Sequence, residues 1–301
     1  MKQIGAWCLL LLGMLIGIPS LVVYMGGHYS TELLQSVKGI SEQDKSKDEE
    51  LAKQKDELIG AIAKIASPTE SEEALKAYAV MLRTYRLRRQ LGIVSQGSLN
   101  YMTVDEMKET WGKSYTTYYN KLKKAVEDTA NEVIYCGNEL IEPIYHNESA
   151  GWTRNANAIY KQDIPYLQPV ESGLDTVQES FNFTQDEFVK RLQEAYSHLS
   201  LQAEALSQQI QVVSKDQAGY IESLQIGNLL IEGETLRKIL DLPSSCFTVV
   251  QSADTITFNV KGIGHGIGLS QHGTNEMAKQ GATYKEILGY YYTGIEVKVN
   301  N

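Results

Sequence analysis

Four polar side chains accompany a glycine repeat in residues 262–273, which we call the glycine segment. It reads GIGHGIGLSQHG, with glycine at every second position from 262 to 268. Glycine has no Cβ, so a ligand or a neighbouring strand can approach such an extended backbone closely. His265, Ser270, Gln271 and His272 can hydrogen-bond polar groups, which suits a sugar or a peptide better than an apolar ligand. The same glycines are also typical of a bulge or a barrel corner.

The pattern of apolar residues on either side of a break at Gly281 predicts two short helices in residues 274–292. Residues 58–89 are also helical in pattern. Residues 67–69 interrupt them, and Ser71 is placed to cap the helix that follows. The small residues on one face of that helix allow close packing.

Capping and turn signals divide the middle of the chain into further helices and short strands. The capping pairs are Thr103 with Glu106 and Thr184 with Glu187. Turns are predicted at Gly137-Asn138, at Gly219 between two strands of residues 210–231, and at Ala253-Asp254. We therefore predict an α+β fold, in which helices from the first half pack on a largely antiparallel sheet from the second half.

An uncharged apolar run occupies residues 4–24, and about 20 apolar residues suffice to span the hydrocarbon core as a helix. Lys2 precedes the run, which favours a cytoplasmic N-terminus. A cleaved signal peptide is the alternative, but Pro19-Ser20 is a poor cleavage site. We therefore predict a transmembrane signal anchor at residues 1–27, a charged stalk at residues 28–57 and an extracytoplasmic domain at residues 58–301.

The composition excludes one class of partner and gives no support for a cofactor. The net charge of −9 argues against nucleic acid, because phosphate binding needs a basic surface. Spacing alone does not show whether Cys136 and Cys246 pair, although free or buried thiols are favoured. Cys136 and His146 are only two candidate ligands, whereas tetrahedral zinc needs more, so we expect no metal and no cofactor.

Several of these segments, taken in order, resemble the stage II sporulation protein D family. The glycine segment, its Ser-Gln pair, the small helix and a Tyr-Tyr-x-Gly end are similar to the family's C-terminal signature. Residues 73–85 (EALKAYAVMLRTY) resemble the family helix Glu-Ala-Leu-Lys-Ala-Gln-Ala-Val-x-x-Arg-Thr-Tyr. Residues 146–154 (HNESAGWTR) resemble its His-x-x-Ser-Gly-Gly-Lys-Thr stretch. The resemblance covers residues 58–298.

This resemblance implies a domain that binds or acts on peptidoglycan. Active relatives are lytic transglycosylases, which cut the β-1,4 bond between N-acetylmuramic acid and N-acetylglucosamine, and other relatives are amidase enhancers. In the transglycosylases one glutamic acid protonates the leaving oxygen while the muramyl C6 hydroxyl closes a 1,6-anhydro ring. That carboxyl must be protonated at working pH, a state that burial favours.

The sequence departs from the family pattern where this acid is expected. A gap-free alignment of residues 60–73 places Ile65 at the position of the glutamic acid, and isoleucine cannot donate a proton. Tyr78 stands where the family has glutamine. Either the acid has moved to Glu70 or Glu72, or the domain has lost the chemistry and kept glycan binding. We expect both carboxylates to be ionised charges at a helix start, which favours the second alternative.

The resemblance also implies a set of glycan-binding side chains and a cellular location. The side chains expected to bind glycan are Arg83, His146, Ser149, His265, Ser270 and Gln271. The expected partners are peptidoglycan glycan strands, other wall hydrolases and the membrane, through the N-terminal helix. We therefore expect a single-pass cell-membrane protein that binds or remodels peptidoglycan during sporulation, at engulfment, without the family's catalytic glutamic acid. The alternative is an active lytic transglycosylase with a relocated acid.

Overall fold

The computed structural model describes residues 49–93, 99–173, 178–201, 209–252 and 254–300. The chain divides into two compact units, Met1–Asp56 and Glu57–Asn301, and the fold below is that of the second. Its described helices are α1 (residues 49–65, which begins in the first unit), α2 (Glu72–Gln90), α3 (Val104–Trp111), α4 (Tyr115–Asp128), α5 (Asn157–Tyr160), α6 (Gln185–Ala195), α7 (Gly233–Ile239), α8 (Gln271–Lys279) and α9 (Tyr284–Tyr291).

The described strands form small sheets that are mainly antiparallel, as predicted. They are β1 (Glu132–Cys136), β2 (Glu139–Leu140), β3 (Tyr145–His146), β4 (Gln178–Thr184), β5 (Ile210–Lys215), β6 (Ile221–Ile226), β7 (Leu229–Glu232), β8 (Cys246–Gln251), β9 (Thr255–Lys261), β10 (Leu269–Ser270) and β11 (Glu296–Val299). Three antiparallel sheets have the orders β11-β1-β2, β4-β9-β8 and β5-β6-β7. β10 and β3 pair in parallel.

Helix α2 lies at the centre of the first hydrophobic core. Its Ala74, Ala77 and Ala79 are fully buried. Because these side chains are small, the helix packs closely against α4, α8, α9 and β1. The first-half helices therefore pack mainly on C-terminal helices and on β1, whereas the sequence predicted a sheet from the second half as their partner.

The second hydrophobic core lies between the two remaining three-stranded sheets and helices α6 and α7. Phe258 of β9 is at its centre, where its ring contacts those of Phe183, Phe188 and Phe247 at centroid distances of 5.2–5.9 Å. Two of these contacts are edge-to-face, the arrangement that the aromatic quadrupole favours. This core therefore fixes β4, β8 and β9, and β9 leads directly into the glycine segment.

The local signals in the sequence predict the element boundaries well. Thr103 and Glu106 form a capping box, and the Thr184 hydroxyl accepts a hydrogen bond from the Glu187 amide. The strand count was too low, because Gly227 (φ 55°) makes a second turn and produces three strands in place of two. β4 was also missed, because most of its side chains are polar or exposed and only Phe183 is buried.

No helix within the described ranges is long and apolar enough to cross a membrane. The predicted signal anchor at residues 1–27 lies outside these ranges, as does most of the predicted stalk. The anchor therefore stays a prediction from the sequence.

A buried arginine joins the two cores. Arg154 is 1% exposed, and its guanidinium contacts Asp216 at 2.5 Å and Glu234 at 2.8 Å. It also lies 4.5 Å from the centre of the Tyr220 ring. Both carboxylates lie between β5 and β8, in what we call the strand-rich part of the domain. The charge of Arg154 therefore holds that part to the loop that follows β3.

Replacement of Arg154 by methionine is expected to lower the free energy of unfolding by about 3–5 kcal/mol. The part-buried Asp216 loses its cation, and Glu234 keeps only Arg237, at 3.1 Å. The matched control is Arg191→Met. Arg191 forms a more exposed pair with Glu187 at 2.9 Å, and its loss is expected to cost about 1 kcal/mol or less. Urea unfolding of both variants measures the difference, and equal losses would contradict the role given to Arg154.

Candidate functional site

The glycine segment packs along residues 145–154, which we call the facing loop. β10 pairs with β3, so that Leu269 lies beside Tyr145 and Ser270 beside His146. Further along, Ile263 and Glu148 exchange two backbone hydrogen bonds of 2.7 and 2.9 Å. The Arg154 amide donates to the Gly266 carbonyl at 2.7 Å. The two segments are therefore joined backbone to backbone over most of their length.

The four repeated glycines permit this close approach. All four have positive φ, from 74° at Gly268 to 107° at Gly264, a region that side chains disfavour. A Cβ at Gly268 would lie 2.0 Å from the Ile144 carbonyl oxygen, and one at Gly262 would lie 2.9 Å from the Glu148 carbonyl oxygen. The segment is therefore not the extended strand that the alternation predicted. Gly262 and Gly268 admit the chain's own backbone, whereas Gly264 admits the His146 Cβ and Gly266 admits the Tyr220 side chain.

His146 and His265 lie side by side within this packing, with ring centroids 5.8 Å apart. His146 Nδ1 is 3.1 Å from the Ile267 carbonyl oxygen, so this nitrogen carries a proton and donates it. Its Nε2 is buried without a hydrogen-bond partner. His265 Nδ1 accepts from the Ile267 amide at 3.1 Å, and its ring also bonds the Tyr145 backbone. Burial lowers the pKa of His146 to about 3 and that of His265 to about 4.

The hydroxyl groups expected to bind glycan are both buried. Ser149 is 1% exposed, and Ser270 is completely buried. Ser270 is the N-cap of α8, where its Oγ accepts from the Gly273 amide at 3.2 Å. The geometry therefore gives Ser270 a capping role, and the structure brings both serines next to His146 without exposing them.

Gln271 joins the glycine segment to the end of α1. Its Nε2 donates to the Ile65 carbonyl oxygen at 2.6 Å. Two further contacts hold α8 to the residues after α1, since Tyr78 donates to the Gln271 carbonyl at 2.9 Å and the Ser71 amide donates to Asn275 Oδ1 at 2.9 Å. The site predicted from the glycine segment therefore extends to residues 65–71.

Ile65 is half-buried and lines a cavity of about 360 Å³. Met81, Leu82, Tyr85 and residues 142–145 form other parts of the cavity wall. Glu142 also lines the cavity. Its side chain is 45% exposed, and its carboxylate lies 3.9 Å from the guanidinium of Arg88. The cavity wall is therefore mainly apolar, and its charged members are Lys64 and Glu142.

The two alternative acids occupy different environments. Glu72 is exposed and lies 3.4 Å from Lys124, as expected for a charge at a helix start. Glu70 is half-buried, and its Oε2 lies 3.1 Å from the Tyr78 hydroxyl. Burial raises the pKa of Glu70, against the opposing effects of hydrogen bonds and of Lys121 and Lys279. Glu70 therefore packs inward, whereas Glu72 is an exposed charge at the helix start.

Arg83 is separate from the group around His146 and Gln271. Its guanidinium donates to the carbonyl oxygens of Val126 and Glu132, both at 3.0 Å. Burial lowers its pKa to about 10. Arg83 therefore ties α2 to the end of α4 and the start of β1, a structural use of the charge that leaves its proposed glycan contact without geometric support.

Three residues of this region were not assigned a role from the sequence. Arg154 and Asn275 gave no signal, because their partners lie 62 or more residues away along the chain. Tyr78 was noted only as a departure from the family glutamine, and it proves to contact both Glu70 and Gln271.

Among the described residues there is no group of three or more His, Cys, Asp or Glu side chains that could hold a metal ion. Cys136 and Cys246 are free thiols, as favoured by the sequence.

The sequence of this α+β domain matches a class of sporulation proteins. Residues 43–135 match the family described as stage II sporulation protein. Stage II sporulation protein D of Bacillus subtilis (strain 168) is 31% identical over 256 residues, which cover 80% of this chain and 73% of the relative. The same protein of Bacillus amyloliquefaciens is 29% identical over 252 residues, which cover 80% and 72%.

With this identity and coverage, the chain belongs to the stage II sporulation protein D family, which confirms the resemblance found in its motifs. An amidase enhancer of Bacillus subtilis (strain 168) is also similar. It is 23% identical over 288 residues, which cover 79% of this chain and 39% of the relative.

Replacement of Gly268 by alanine is expected to lower the free energy of unfolding by about 2–5 kcal/mol, from backbone strain and the clash with Ile144. Gly289 is the matched control, because it lies inside α9 with no atom within 4 Å of an added Cβ. Gly289→Ala is expected to be stabilising by about 0.5–1 kcal/mol. Urea unfolding tests both, and a tolerated Gly268→Ala would contradict the close backbone contact.

Acid is expected to destabilise the domain through His146 and His265. Unfolded histidines take up protons below about pH 6.5. In the fold, His146 stays neutral down to about pH 3 and His265 down to about pH 4. Their contribution is therefore complete above pH 6.5 and is lost as the pH falls towards 4, by about 3 kcal/mol per histidine. Replacing either with glutamine should flatten the dependence of unfolding free energy on pH across this window. Exposed His198→Gln is the control, and an unchanged slope in the His146 and His265 variants would refute the prediction.

Proposed function

We propose that this protein is a membrane-anchored, extracytoplasmic cell-wall protein that binds or remodels peptidoglycan during sporulation, at engulfment, without the family's acid chemistry. Family membership supports the sporulation role, and the similarity to an amidase enhancer supports a connection with wall hydrolases. Peptidoglycan glycan strands are the proposed ligand. The apolar run at residues 4–24 supports the anchor, and other wall hydrolases are the proposed protein partners.

The single observation that carries this proposal is the side chain at position 65. The gap-free count places this isoleucine at the family's glutamic acid position, and its side chain lines a mainly apolar cavity wall. Its carbonyl accepts a hydrogen bond from Gln271, so the residue is fixed beside the end of the glycine segment, where α8 starts. An aliphatic side chain there supports contact with a sugar ring but cannot protonate a glycosidic oxygen. Loss of cleavage with retention of binding follows from that substitution.

The second candidate function is an active lytic transglycosylase in which Glu70 supplies the proton. The observation that favours it is the half-buried carboxyl of Glu70, which lies beside Tyr78. Burial raises the pKa of this carboxyl. A lytic transglycosylase needs such a protonated carboxyl, because the muramyl hydroxyl itself closes the ring and no second carboxylate has to activate water. Glu72 gains no such support, since it is an exposed partner of Lys124.

Incubation of the full-length chain with purified glycan strands distinguishes the two functions. We expect the strands to co-sediment with the protein and to release no 1,6-anhydro products. The matched variants are Glu70→Gln, which removes the half-buried acid, and Glu72→Gln, which removes an exposed one. Both are expected to bind glycan as the wild type does.

Release of 1,6-anhydro products that disappears in Glu70→Gln and persists in Glu72→Gln would establish the second function and refute the first. Absence of both binding and products would refute both, and would leave a membrane-attached scaffold that does not contact glycan.

A further inference from the structure

The Tyr78 hydroxyl has more acceptors than it has protons to donate. It lies 2.9 Å from the Gln271 carbonyl oxygen and 3.1 Å from Glu70 Oε2. A carbonyl oxygen can only accept a hydrogen bond, and an ionised carboxylate can likewise only accept. A phenol carries one hydrogen, so full bonds to both neighbours require one neighbour to be the donor. The carboxyl group of Glu70 is the one that can be, in its protonated form.

The contacts of the two carboxyl oxygens indicate which of them would carry that proton. Glu70 Oε1 accepts a hydrogen bond of 3.1 Å from the Ser67 amide, so this oxygen uses its lone pair towards the backbone. Oε2 is the oxygen that faces the phenol. Protonation at Oε2 therefore produces a continuous relay, in which Glu70 donates to Tyr78 and Tyr78 donates to the Gln271 carbonyl.

The surroundings of Glu70 contain opposing effects. Burial raises the pKa of Glu70. Hydrogen bonds from the Ser67 amide and the Tyr78 hydroxyl to the ionised carboxylate lower it, as do the ammonium groups of Lys121 on α4 and Lys279 on α8. The Lys121 ammonium bonds the Glu70 backbone carbonyl. Tyr78 is itself completely buried and its pKa is raised well above its usual range, so the phenol stays protonated. The groups that face the pair are therefore these two lysines and, on the α9 side of Tyr78, Tyr291.

We propose that Glu70 is a neutral carboxylic acid in the folded protein, and that Tyr78 is the positioning residue that holds its proton and passes the hydrogen bond to Gln271. Ionisation of Glu70 makes two acceptors compete for one hydrogen, which weakens the hold on the start of α8. Gln271 also binds the Ile65 carbonyl, so the protonation state of Glu70 is coupled to the contact between α8 and the end of α1. This inference concerns the folded protein alone and holds whether or not the domain binds glycan.

Thermal unfolding of the full-length chain across pH 4.5–7.5 tests the stability consequence. A carboxyl that stays neutral in the folded protein leaves the free energy of unfolding unchanged below the unfolded glutamic acid pKa. As the pH rises above that pKa, it lowers the free energy of unfolding increasingly. Glu70→Gln keeps a donor towards Tyr78 and cannot ionise. Its Tm relative to wild type should therefore rise with pH, by at least about 2 °C over this range. Exposed Glu72→Gln is the control and should show no such rise.

Carbon-13 NMR of glutamate-labelled protein gives a second readout that does not depend on stability. We expect one carboxyl signal that titrates above the ordinary glutamic acid range, is absent in Glu70→Gln and moves to lower pH in Tyr78→Phe. A Glu70 signal that titrates in the ordinary range, or one that Tyr78→Phe leaves unmoved, would overturn the proposal. So would a Glu70→Gln Tm difference that is constant with pH.

Discussion

The glycine segment and the facing loop pack closely against each other, in large part backbone to backbone. This contact requires residues of positive φ without Cβ atoms at 262, 264, 266 and 268. It fixes His146, Ser149 and His265 in the interior and brings Arg154 to the carboxylates of the strand-rich part. It also sets the direction of α8, because Ser270 caps that helix immediately after the last of these glycines. The positions of both cores relative to the site therefore depend on this one contact.

Because the contact is so close, most polar groups near the glycines are used within the protein. The His265 ring bonds backbone groups through Ile267 and Tyr145, and Ser270 bonds the amide of Gly273. The side chains that are candidates for chemistry lie nearby, where α8 meets residues 65–71. There the protein has an aliphatic side chain at 65, a half-buried carboxyl at 70 and a phenol at 78. A tyrosine in place of glutamine offers one donor hydrogen, which is why the state of Glu70 matters to the packing of α8.

The sequence predicted the parts of the fold that depend on local chemistry. The capping pairs at Thr103 and Thr184, the interruption before Ser71 and the break at Gly281 all depend on interactions within a few residues. Alternating glycines were correctly singled out, but the alternation does not distinguish a strand that faces a ligand from a chain that turns at each glycine. The partner of that backbone lies more than 100 residues earlier, so its identity depends on tertiary structure. The inward packing of Glu70 was missed for the same reason, since Lys121, which contacts its backbone carbonyl, lies 51 residues away along the chain.

The central claim is that the position of the family's acid is occupied by a residue that contacts sugar and cannot protonate it. The most direct measurement is a crystal structure of the full-length chain with a short N-acetylglucosamine–N-acetylmuramic acid oligomer. The account predicts sugar atoms against the Ile65 side chain and no carboxyl oxygen within hydrogen-bond distance, about 3.2 Å, of any glycosidic oxygen. A carboxyl oxygen of Glu70 or Glu142 within that distance of the glycosidic oxygen beside Ile65 would contradict it.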